Sequence, residues 1–116
     1  MNKMSKKDSI DFIRKGVSLS MLNLIIARKI HLKEEEDTQD VRDRLSKVDE
    51  SLFKMEILFK TLDLEKIRKW APTLHEEFSD HKQFFENKLQ EIPTKTFKDY
   101  RMVLSDIVNI LGTFIN

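Results

Sequence analysis

A chain of 116 residues is the size of one domain, and splitting it would leave halves too small to bury a core, so 1–116 reads as a single unit. With two Gly, two Pro and no Cys it lacks the turn residues of a β protein and all thiolate chemistry, and it suits a reducing, cytoplasmic setting. The net charge of +1 hides a segregation: residues 1–33 hold eight basic and two acidic side chains, whereas 34–51 hold three basic and eight acidic ones, which argues against a uniformly basic nucleic-acid binder.

The first helix is expected to open at Ser5, with Asp8 at its third position and Ile10, Ile13 and Val17 at helical spacing. Gly16-Val17-Ser18 reads as a left-handed stop followed by a new N-cap, so a second helix is predicted over 19–32 with Leu22, Ile25, Ile26 and Ile30 on one side. The uncharged run from Gly16 to Ala27 is too short to span a bilayer. Arg28, Lys29 and His31 follow it with no small-residue cleavage site, so it is read as a buried helix and not as an export signal or membrane span.

The clearest signal comes next. Val41, Leu45, Val48, Leu52, Met55, Phe59 and Leu62 alternate spacings of four and three, which predicts one long central helix over about 38–62, roughly 37 Å at 1.5 Å per residue. Asp37 or Thr38 is its expected N-cap, and the acids of its first turn suit the helix dipole. Phe53, Ile57 and Leu58 widen the stripe beyond a two-stranded seam and favour bundle packing, with a homodimer through the 41–62 stripe as the alternative use of the same face. Leu64, Ile67 and Trp70 continue a short connector expected to stop near Ala71, because Pro72 disfavours helical geometry at the residue before it. Thr73-Leu74-His75-Glu76 then reads as a capping box opening a helix that carries Leu74, Phe78, Phe85 and Leu89 and ends before Pro93. A last helix, opened at Thr96, carries Phe97, Tyr100, Leu104, Ile107, Val108, Leu111 and Ile115. The expected fold is an all-α, single-domain bundle of about five helices.

No glycine-rich phosphate loop, nucleophile elbow or dinucleotide fingerprint is present. His31/Glu35 and Glu77/His81 stand four apart, as metal ligands on one helix face would, but the paired Glu-x-x-His set of a di-metal bundle is missing, so no metal or cofactor is expected. The spacing of Arg68 and His75 resembles the Arg-x4–6-His pattern of HEPN ribonucleases, helical bundles in which both residues share one helical segment; here Pro72 is expected to break the helix between them. Lys3, Lys6, Lys7, Arg14 and Lys15 form a basic end with Asp8 and Asp11 interleaved.

The acidic stretch is the strongest functional candidate, since closely spaced carboxylates steer a basic protein and raise its association rate. Glu34, Glu35, Glu36, Asp37, Asp40 and Asp43 are taken as the partner-binding face. By analogy of class, the expectation is a non-enzymatic inhibitor of the bacterial immunity-protein or antitoxin kind that occludes a basic, possibly nuclease, toxin domain without small-molecule substrate or membrane. The alternatives are a secretion chaperone or adaptor that binds an amphipathic partner helix, and a HEPN-like or basic-face nucleic-acid protein.

Overall fold

In the computed structural model, residues 6–28 and 32–115 are described, with side chains for all but 6, 9, 20, 21 and 23–28. Four helices form, α1 (Lys6–Arg28), α2 (Gln39–Lys60), α3 (Leu64–Glu91) and α4 (Lys95–Gly112), and no strand occurs among the described residues. Residues 61–63 and 92–94 are connections too short to let successive helices run parallel, so α2, α3 and α4 alternate in direction. α3 and α4 share the most extensive interface, and α1 closes the ring by packing on both α4 and α2 in a body of 48 × 24 × 23 Å.

One core runs through all four helices. Phe59, Phe78, Phe85, Phe97 and Tyr100 are its largest fully enclosed side chains, and Phe85 sits at its centre with ring centroids 5.8 Å from Phe97 and 5.2 Å from Tyr100. Of the long stripe, Val41, Val48, Met55 and Phe59 are buried while Leu45, Leu52 and Leu62 are half-buried against the same core. The stripe therefore meets the chain's own helices.

Four helices stand where five and a connector are expected, for two reasons. Gly16 does not stop α1. A Cβ at that position would lie 3.3 Å from Ile110 Cγ2, so the glycine is where α1 closes on α4, and the expected break is a contact. Pro72 lies inside α3, where it deprives the Arg68 carbonyl of its helical donor. Ile67, Ala71, Leu74 and Phe78 are buried on both sides of it, so continuous tertiary packing outweighs the local cost. The Thr73 capping box is consequently unused. α3 begins instead at Asp63, whose carboxylate accepts from the Lys66 amide at 3.2 Å, just after Leu62 takes the left-handed conformation (φ 53°) that reverses the chain. The last helix starts at Thr94 and not at Thr96: the Thr94 hydroxyl accepts from the Phe97 amide, and Thr96 is buried.

Candidate functional site

The acidic stretch is less available than its sequence implies. Glu36, expected on a surface, is fully buried: it accepts from the Lys33 amide at 2.9 Å and from the hydroxyl of Thr94, pinning the loop before α2 to the start of α4. Burial raises its pKa, but the hydrogen bonds of Thr94, the Lys33 backbone and Thr96, with the Lys33 charge, outweigh that and hold the carboxyl below its ordinary range. Asp37 makes a two-pronged pair with Arg42 at 2.6 and 2.8 Å, which lowers its pKa. Asp40 bonds Lys88 of α3 and the Thr38 hydroxyl and is lowered to about 2, while its Oδ1 accepts from the Val41 amide and so serves the helix start where Thr38, in the N-cap position, makes no side-chain cap. Asp43 accepts from Gln39 at 2.8 Å. Only Glu34 and Glu35 are exposed without a hydrogen bond or ion pair among the described residues.

Of the basic end, Lys7, Arg14 and Lys15 are exposed along α1, while Lys3 and the side chain of Lys6 lie outside the described residues, as does His31. Arg68 and His75 both belong to α3, so the expected break between them does not exist. They stand seven residues apart on one face, two helical turns or about 10.5 Å along the axis. No cluster of three potential metal ligands occurs among the described residues.

The α2–α3 seam joins Glu77 and His81, paired in the sequence only by their spacing, to Ser51 and Arg44 of the facing helix. Ser51 and His81 are both buried. Arg44 Nη1 lies 3.1 Å from His81 Nδ1, and because a guanidinium can only donate, Nδ1 accepts and the ring proton sits on Nε2. Nε2 then donates to Ser51 Oγ at 2.9 Å, and Ser51 donates to Glu77 Oε1 at 3.1 Å, which also receives Lys54 at 3.1 Å. The direction of this relay is opposite to that of a nucleophile pair. His81 gives a proton to the serine oxygen, so it cannot accept the serine's, and the serine is out of reach of solvent. Burial first, then the Arg44 charge, push His81 down to about 4, against the opposing charges of Asp80 and Glu77. Arg44 also bonds Asp80 at 2.9 Å and lies over the Phe84 ring at 4.9 Å.

These cross-links zip the seam from Asp40–Lys88 through Arg44 and Ser51 to Lys54–Glu77. Past that bridge the polar zipper ends among the described residues. The two helices instead line an apolar groove of about 450 Å³, with Ile57 and Leu58 on one wall and Trp70 and Leu74 on the other. Thr61 lies at the end where the chain turns, and Lys66 stands at the rim. Ile57 is 53% exposed, Trp70 48%, and Phe53, one turn before Ile57 on the same side of α2, 63%. A large aromatic residue and a β-branched one, left half in water beside a preformed cleft, mark this part of the surface. The sequence places Phe53 and Ile57 beside the stripe and Trp70 in the connector, but only the pairing of α2 with α3 brings them together.

Architecture and site define a ring of four helices with an apolar, open-sided groove between α2 and α3. Comparisons with protein-family models, with curated proteins and with solved structures give no match. No helix among the described residues is long and apolar enough to cross a membrane.

Proposed function

We propose that this chain is a non-catalytic binding protein that engages a protein partner through the α2–α3 groove. One observation carries the reading: Ile57 and Trp70 stand exposed on the two walls of an apolar cleft just where the polar cross-links of the seam give out, with Phe53 exposed one turn before Ile57. Binding sites enclosing small molecules cover most of their ligand, whereas a shallow apolar trough between two helices suits another helix laid along it. This favours the adaptor or chaperone form of the binding reading. The test is site-specific photo-crosslinking in the source cell from position 57, with the exposed position 102 of α4, outside the groove, as control. A single adduct from 57 that disappears on Trp70→Glu supports the groove. Equal labelling from both positions counts against it.

The toxin-inhibitor form retains one supporting observation, the exposure of Glu34 and Glu35 at the end of the molecule that also carries Asp37, Asp40 and Asp43. With Lys33, Arg42 and Lys88 interleaved among the acids, the field there is partly neutralised. Reversing Glu34 and Glu35 to Lys should abolish binding to a basic toxin domain and remove its salt dependence if this end is the interface. Unchanged binding leaves the groove as the recognition surface.

A further inference from the structure

The groove's dimensions and charge specify its occupant further. Its α2 wall runs from Lys54 to Thr61 and its α3 wall from Lys66 to Glu77, roughly 10 to 16 Å at 1.5 Å per residue, which matches two to three turns of helix. One end is closed by the Lys54–Glu77 bridge, whose charges neutralise each other at 3.1 Å. The other end, at the 61–63 turn, carries Lys66, exposed and without a carboxylate partner among the described residues, and Lys69, whose Nζ lies 5.6 Å from the centre of the Trp70 ring. Arg68, in the same turn, shares the other side of α3 with His75, and Asp63 is an exposed carboxylate that accepts from the Lys66 amide at 3.2 Å. The groove is thus neutral at one end, and at the other Lys66 and Lys69 outnumber the single carboxylate of Asp63.

Resting on the protein-binding reading above, we infer that the occupant is an amphipathic helix of a partner protein, with apolar side chains at i, i+3/i+4 and i+7 seated on Ile57, Leu58, Trp70 and Leu74, and carboxylates at the end lying over Lys66 and Lys69. Such charges contribute specificity and association rate more than raw affinity. A second copy of this chain does not supply that charge, because a two-fold contact along the groove would set Lys66 and Lys69 against the other end of the second copy's groove, where Glu77 is already paired with Lys54 at 3.1 Å. Lys66 and Lys69 are thus the specificity-determining residues of the groove.

Trp70 is the only tryptophan of the chain and lines the groove, so its emission reports occupancy directly. The probes are three synthetic 16-residue peptides with one leucine stripe: one with glutamates at one end, one with lysines in their place, and one with acidic residues and a central proline. Binding is followed by Trp70 emission and by anisotropy of labelled peptide, against wild type, Ile57→Glu and the double variant Lys66→Glu/Lys69→Glu, all at exposed positions. The acidic helix should shift emission to shorter wavelength and bind at least about tenfold tighter than the lysine peptide. The preference should reverse in the double variant, and the proline peptide should not bind. Equal binding of acidic and basic helices, both lost in Ile57→Glu, would overturn the charge assignment while leaving the groove reading in place. Binding of dodecanoate with no response to any peptide, or an emission shift that depends only on the chain's own concentration, would overturn the helical occupant altogether.

Discussion

If α3 is one helix, Pro72→Ala must stabilise the protein. Pro72 is the ninth residue of α3, exposed, and its ring packs into no part of the core, so alanine removes no packing. It restores an amide to donate to the Arg68 carbonyl and relieves the ring's clash with that carbonyl. In a helix interior proline is about 3 kcal/mol less favourable than alanine. Because the native helix has already adapted to it, we expect about 1.5–3 kcal/mol of this to be recovered. For 116 residues, an unfolding entropy of about 2.1 cal/mol/K per residue makes 1 kcal/mol worth about 4 °C, so Tm should rise by about 6–12 °C. The companion change Thr73→Ala should be neutral, since Thr73 lies within the helix and caps nothing. Differential scanning calorimetry of both variants decides the matter. A Pro72→Ala Tm within 2 °C of wild type, together with a loss of about 4 °C for Thr73→Ala, would show that the helix does break here and that Thr73 caps a separate one.

Further outcomes follow from the same geometry. Ser51→Ala leaves the buried Nε2–H of His81 without an acceptor and should cost about 1–3 kcal/mol in urea denaturation; a smaller loss would mean that the relay is not formed. His81 takes up its proton near 6.5 when unfolded and only near 4 when folded, so the unfolded state binds more protons between those values. Stability is therefore fully present above about 6.5 and declines as pH falls towards 4, and His81→Gln should flatten that slope. Phe85→Ala should cost about 3–5 kcal/mol, whereas Leu52→Ala, half-buried, should cost distinctly less; equal costs would contradict the core described above. Purified protein should leave RNA intact, and cleavage abolished by Arg68→Ala or His75→Ala would replace the binding reading with a nuclease one.

The class of fold was legible because its signal is periodic and redundant. The stripe from Val41 to Leu62 repeats over seven apolar positions, and no single exception changes its period. The helix count was not legible, because Gly16 and Pro72 are locally ambiguous. Each breaks a helix by propensity, and only contact with Ile110, in one case, and burial of Ile67, Ala71 and Leu74, in the other, reverses that preference. The acidic stretch shows the opposite limit. Its charge is visible in the sequence, but its commitments to Thr94, Arg42 and Lys88 come from residues between 5 and 58 positions away that no local pattern reveals. The groove needed both kinds of information: the apolar residues are readable, while their exposure depends on how far the polar cross-links between α2 and α3 extend.

Amide chemical-shift mapping of the isotopically labelled protein with the acid-edged helical peptide tests the central claim most directly. Perturbations confined to residues 53–61 and 66–77, with the Trp70 indole among the largest, are expected if the groove is the recognition surface. Perturbations concentrated at 34–43, or along the exposed face of α1, would contradict it.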